Sequence, residues 1–252
     1  MLKETIWVLA RWKEGFRPRR SLSIWCKKIA QWSRFWESYK KYNELASTKG
    51  HSLLLQDLYP CLGEDVEETS IEPIYFYQDT WAFEKIVEQN PKHHVDIGSH
   101  HKFVAFLSKI IPVTMVDIRP LSLPLNTLQF KEGSILDLPF EDNTIHSLSS
   151  LCVVEHIGLG RYGDPLDPQG SEKAIAELKR VLCPKGNLYI SVPIDDCNRV
   201  FFNAHRAFKE SYIEQLLKPM QIIERAYVKG RKLLRERPDG FSIGLYHIVS
   251  ND

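Results

Sequence analysis

Two hydrophobic rhythms divide the chain. Leu22, Trp25, Ile29, Trp32, Trp36 and Tyr39 follow one another at intervals of 3, 4, 3, 4 and 3. This is the stripe of an amphipathic helix, with Lys27, Lys28, Arg34 and Lys40 lying off it. From about residue 76 the pattern becomes a regular alternation. Residues 77–90 read as a helix that ends before Pro91, and residues 94–97 as a short buried strand closed by Gly98. A helix over about 100–110 follows, then strands at 113–117, 128–131 and 145–151. Residues 171–182 form an amphipathic helix stopped by Cys183-Pro184-Lys185-Gly186, and residues 187–192 a fifth strand. Strands separated by helices predict right-handed crossovers and a parallel sheet covered on both faces. After a helix at 209–217, two strands at 222–228 and 241–249, joined by a charged loop, read as a terminal antiparallel pair.

A length of 252 residues allows one α/β domain with a smaller attachment. With 43% hydrophobic and 26% charged residues, a disordered, collagen-like or coiled-coil chain is excluded. The net charge of +1 hides a division: residues 1–50 hold 12 Lys+Arg against 4 Asp+Glu, net +8, leaving −7 for the rest. Five of the six tryptophans, Trp7, Trp12, Trp25, Trp32 and Trp36, fall in that basic block. The expected division is therefore a basic, Trp-rich helical extension with an acidic loop at 64–72, together residues 1–70, followed by an α/β domain at 71–252. The stripe needs a cover. The chain's own core or a second copy of the chain is the expected one, and peripheral contact of residues 1–50 with an anionic membrane is the alternative. No RNA-binding signature accompanies the charge, so no nucleic-acid partner is expected. No apolar run approaches the roughly 18 residues of a spanning helix, and no secretory signal opens the chain, so a cytoplasmic protein is expected. Five cysteines without a CxxC pair suggest reduced thiols rather than disulfides or a zinc ribbon.

In open α/β sheets, ligands bind beyond the carboxyl ends of the strands. The first strand ends Val95-Asp96-Ile97-Gly98, where glycine permits close backbone approach. The second ends at Asp117, about 20 residues on, where a carboxylate can accept both hydroxyls of a ribose. The segments VDIG (95–98), VDI (116–118), GSILDLPF (133–140), EDNTIHSLSSL (141–151), VEHI (154–157) and ELKRVLCPKGNLYISVP (177–193) then follow in order. Together, over roughly residues 76–250, they resemble class I S-adenosylmethionine-dependent methyltransferases. More narrowly, EHIGLGRYGDPLDP (155–168) and NAHR (203–206) resemble a methyltransferase-like family of unknown function.

The resemblance implies a doubly wound, mostly parallel seven-stranded sheet of Rossmann-like kind, with S-adenosyl-L-methionine as cofactor. It implies that Asp96 and Gly98 hold the amino-acid end of the cofactor and Asp117 its ribose. Ile118 would pack on adenine, and Ser134 and Ile135 would read its edge. The chain departs from the family pattern at Ser134, where Asp is usual, and at Ser99, His100 and His101, where further glycines are usual.

For the chemistry at an acceptor, His156 is the expected general base, Glu155 its orienting partner and His205 the second choice. The Gly- and Pro-rich loop at 158–170 reads either as a substrate-side lid or as a rigid surface loop. Glu155, His156, Asp164 and Asp167 offer ligand atoms, but nothing fixes their geometry and no metal is expected. The reading is an O-methyltransferase acting on a small-molecule or sugar/glycan hydroxyl. A catalytically inactive scaffold is the alternative that the departures support.

Overall fold

The computed structural model describes residues 18–47 and 53–251, with the side chains of residues 24–46 and 53–251. Trp7, Trp12 and the side chain of Leu22 lie outside the described residues. The chain forms two compact units, Met1–Ser70 and Ile71–Asp252.

Among its described residues the first unit holds helix α1 (Pro18–Ser47), followed by a 3-10 turn at Leu55–Asp57. Arg34 of α1 pairs with Asp65 of the acidic segment at 2.7 Å. The described stripe residues Trp25, Ile29, Trp32 and Trp36 are 65%, 66%, 41% and 41% exposed. Trp32 stacks on Trp36, with Phe35 and Tyr39 edge-on.

In the second unit the helices are α2 (Pro73–Gln89), α3 (His101–Leu107), α4 (Gly170–Val181) and α5 (Glu210–Leu217). The main strands are β1 (His94–Ile97), β2 (Val113–Asp117), β3 (Leu128–Glu132), β4 (Ile145–Leu151) and β5 (Leu182–Asp195). Two short strands, β6 (Arg199–Phe201) and β7 (His205–Lys209), precede α5, and β8 (Gln221–Lys229), β9 (Lys232–Leu234) and β10 (Ser242–Val249) end the chain. The α2 helix begins four residues before its expected start because the Glu72 carboxylate accepts the Ile74 N–H and Pro73 occupies the first turn. It stops at Asn90, which takes the left-handed conformation (φ 44°).

The sheet runs β3-β2-β1-β4-β5-β10-β8-β9. From β3 to β5 all pairs are parallel, while β10 is antiparallel to both β5 and β8. The expected seven-strand frame is present, with three short strands added. The expected stop at residues 183–186 is a bulge inside β5, where the register with β4 jumps from Ile145↔Leu182 to Ser147↔Asn187. Where β4 ends, β7 takes over its edge of β5 through Ile194↔Phe208 and Asp195↔Lys209. The loop after β7's partner β6 is thereby carried to the carboxyl side of the sheet.

Strand alternation divides the core between the two faces. Leu188, Ile190 and Val192 of β5 join Ala174, Ile175 and Leu178 of α4 and Ile213 of α5 on one face. Tyr189 of the same strand joins Trp81 and Ile86 of α2 and Phe103 and Val104 of α3 on the other. Truncating a fully buried Ile or Leu here costs about 2–5 kcal/mol, so each face is strongly specified.

Candidate functional site

Strand order reverses between β1 and β4, the place where doubly wound sheets leave a crevice. At that crevice β1 runs into Gly98, whose φ of 68° favours glycine; an added Cβ would also stand 3.3 Å from Val153. The turn is held from below. The fully buried Asp96 carboxylate accepts the Ser99 N–H at 3.0 Å and the Ser149 hydroxyl. Burial raises its pKa to about 6 despite these bonds. Behind it, the His94 ring bonds Ser149 at 2.8 Å and Ser147 at 2.7 Å, and burial lowers the pKa of this ring to about 3. A neutral imidazole thus extends the buried polar chain from Asp96 across β4.

A cleft of about 630 Å³, measured to its open mouth, lies over this turn. Its volume is that of a small-molecule site. Asp117, Ile118, Ser134 and Ile135 line it together with Gly98 and His156. Asp96 lies beneath the wall rather than in it. The Asp117 carboxylate accepts the Arg119 N–H at 2.8 Å and faces the Arg119 guanidinium at 3.4 Å. Arg119 in turn lies 4.6 Å from the centroid of the Tyr162 ring, on the far wall. The Ser134 hydroxyl accepts the Leu136 N–H at 3.1 Å. Toward Tyr75, Ser99, His100 and His101, a second lobe shares Gly98, Asp117, Cys152 and His156 with the first.

The opposite wall begins where β4 ends. Cys152 takes φ 52°, a left-handed conformation unusual for its type. Its N–H donates to the Ser191 hydroxyl at 2.9 Å, and both its thiol and that hydroxyl point at Oε1 of Gln78, at 2.9 and 2.6 Å. Glu155 follows in a 3-10 turn (Val154–His156) and is buried, with no hydrogen-bond partner at Oε2. Burial pushes its pKa up to about 8, only partly offset by its own N–H, the Cys152 thiol and the Arg161 charge. The acid is therefore neutral at pH 7. His156 donates from Nδ1 to the Ala204 carbonyl at 2.6 Å, leaving Nε2 as the basic nitrogen, 3.7 Å from Oε1 of Glu155. Burial lowers the pKa of His156 to about 4, so its ring is also neutral.

His205 does not line the cleft. Its ring packs on Phe201 (4.9 Å) and Phe241 (5.8 Å), while its charge still bears on His156. The loop at 158–170 is a stapled structure. The Asp164 carboxylate accepts the N–H groups of Gly158, Gly160 and Tyr162, and although burial opposes it, its pKa falls below the ordinary value. Buried Arg206 donates to the carbonyls of Ile157 and Asp167 and to the Ser171 hydroxyl. The two segments GLGRYGDPLDP and NAHR are thus two halves of one structural unit. Among the described residues, no group of three His, Cys, Asp or Glu side chains is placed to hold a metal ion.

Gln78, Arg119 and Tyr162 escaped the sequence reading. Tyr162 lies inside the GRYGDP segment and Arg119 two residues after Asp117, so both had a positional signal. Gln78 had none, because it reaches the site from α2.

A family described as Caenorhabditis protein of unknown function, DUF268, matches residues 140–231. That span contains Glu155, His156, the stapled loop and Arg206, but not Asp96, Gly98, Asp117 or Ser134. No curated protein sequence matches the chain. Among solved structures, the N-methyltransferase NodS from Bradyrhizobium japonicum WM9, in complex with S-adenosyl-L-homocysteine, superposes with a TM-score of 0.54 at 14% identity, covering 75% of this chain and 94% of NodS. A putative sarcosine dimethylglycine methyltransferase from Galdieria sulphuraria gives 0.53 at 14% identity, covering 70% and 85%. The [4+2]-cyclase SpnF gives 0.54 at 13%, covering 82% and 91%. The second unit therefore has the fold of class I S-adenosylmethionine-dependent methyltransferases. SpnF, a cyclase on the same fold, makes the reaction a question for the site.

Proposed function

We propose that this protein is an S-adenosylmethionine-dependent methyltransferase that methylates a hydroxyl of a small-molecule or sugar/glycan acceptor. The observation that carries the reading is the convergence of Gly98, Asp117, Ile118, Ser134, Ile135 and His156 on one cleft at the switch in strand order. The donor set suits the cofactor: a carboxylate for the ribose hydroxyls at Asp117, apolar walls for adenine at Ile118 and Ile135, and an open backbone at Gly98. Bound S-adenosylmethionine would supply an electrophilic methyl group on its sulfonium.

For a hydroxyl acceptor the proton must be removed, and His156 suits this role. It lines the cleft, its Nδ1 proton is committed to Ala204, and its Nε2 carries a free lone pair. Glu155 is buried and neutral 3.7 Å from Nε2, beyond hydrogen-bond reach, so the bond to Ala204 is what orients that ring. An aromatic groove lined by Phe76, Phe83, Phe103 and Phe106, with Asp79 beside it, shares Tyr75 and His100 with the second lobe of the cleft. This favours an acceptor with an apolar or ring face next to its hydroxyl.

One observation favours the scaffold reading. Asp117 and Ser134, the two polar contacts for a nucleoside, already hold internal partners in Arg119 and Leu136. Calorimetric titration with S-adenosylmethionine and S-adenosylhomocysteine separates the two. Micromolar binding lost in Asp117→Ala supports the enzyme, and absence of heat with the folded protein supports the scaffold.

A further inference from the structure

We propose that α1 is a membrane-docking helix that seats the protein on an anionic lipid surface. At 1.5 Å per residue its 30 residues extend about 45 Å. At 100° per residue, Trp25, Ile29, Trp32 and Trp36 fall within an arc of about 60°, and all four are exposed. Lys27, Arg34 and Lys41, seven residues apart, form a row on the opposite side, while Lys28 and Lys40 bracket the apolar arc at its two edges. In an interfacial helix the flanking lysines snorkel toward headgroups while indole rings settle at the boundary of the acyl region. Only Arg34 of these cations is seen in an ion pair among the described residues, with Asp65, and that pair is exposed and weak.

The occupant follows from charge. Residues 1–50 carry a net +8 and residues 51–70 a net −5, so the first unit keeps an excess of +3, and between residues 24 and 46 only Glu37 and Glu44 oppose the five cations just named. Anionic headgroups complement the lysines at both edges of the stripe, Lys28 and Lys40. No described helix is long and apolar enough to cross a bilayer, so the contact is peripheral. The inference is independent of the methyltransferase reading, because it uses no residue of the cleft.

The test is co-sedimentation of the full chain with phosphatidylcholine vesicles, with and without 30% phosphatidylserine, read together with tryptophan emission. We expect at least tenfold tighter binding to the anionic vesicles, with a blue shift. Binding should weaken at least tenfold on raising salt from 50 to 500 mM, because each basic residue at the surface is worth roughly fivefold. Trp25→Ser/Trp32→Ser/Trp36→Ser and, separately, Lys28→Glu/Lys40→Glu should each lose at least tenfold in binding while keeping the wild-type far-ultraviolet spectrum. Absence of binding to anionic vesicles would overturn the proposal. A dimer in light scattering that the tryptophan variant dissolves, with no vesicle binding, would overturn it in favour of a second copy.

Discussion

Glu155→Gln is expected to stabilise the protein in alkaline solution and to leave it almost unchanged in acid. The carboxyl is buried, lacks a partner at Oε2, and titrates at about 8 in the fold against an ordinary value of 4.5. Above pH 4.5 the unfolded chain releases this proton while the native state keeps it. The native state thus binds more protons, and stability falls as pH rises toward 8. At about 1.36 kcal/mol per pH unit, holding the acid neutral across that window costs roughly 5 kcal/mol at pH 8 and above. It costs under about 1 kcal/mol at pH 5. Glutamine has the shape of the neutral acid and nothing to ionise, so the variant recovers that difference. Urea unfolding of both proteins at pH 5 and pH 8.5, followed by circular dichroism, measures it. The expected gain is about 3–5 kcal/mol at the higher pH and less than about 1 at the lower. Contributions from Asp96, His94 and His156 occur in both proteins and largely cancel. An equal difference at both pH values would show that Glu155 is ionised in the native site, and the account of a neutral acid beside His156 would fail.

Asp117→Ala should weaken S-adenosylmethionine binding by at least about 1.5 kcal/mol, the lower range for hydrogen bonds to a charged group; unchanged calorimetry in the folded variant would remove Asp117 from the site. Gly98→Ala should weaken the same binding or the fold by about 1–2 kcal/mol through its positive φ and the Val153 contact, read by titration and thermal melting; a neutral result would show that the turn yields. Arg206→Met should cost about 1–3 kcal/mol in urea unfolding, since it strands part-buried carbonyls of Ile157 and Asp167; an unshifted midpoint would mean that the loop is not held by this side chain. If His156 is the base, methyl transfer should lose its acid limb only near pH 4 rather than 6.5, because His156 must be neutral to act and stays neutral down to that pH; a limb at 6.5 would point to another group.

The chain's own periodicity was enough to mark the order of strands and helices, the parallel run to β5 and the antiparallel ending, because burial on two faces imposes continuous apolar strands between amphipathic helices. Gly98 and Asp117 were legible for a related reason: they sit at strand ends, where a short local spacing determines what reaches the crevice. The α2 start at Pro73 and the bulge at residues 183–186 were missed, since a capping carboxylate and a register jump depend on the neighbouring backbone. The tertiary structure alone decided the state of the EH pair. Burial leaves both Glu155 and His156 neutral, and desolvation is a property of everything packed around a group, which no local spacing encodes. It likewise turned His205 onto two phenylalanines and brought Gln78 from α2 to Cys152. It joined Arg206 to a loop some 40 residues earlier, contacts between segments whose sequences carry no mark of each other. For α1 the division runs the other way. The stripe was plain in the sequence, while its cover is not encoded there, because amphipathicity states that a face needs a partner and not which partner it has.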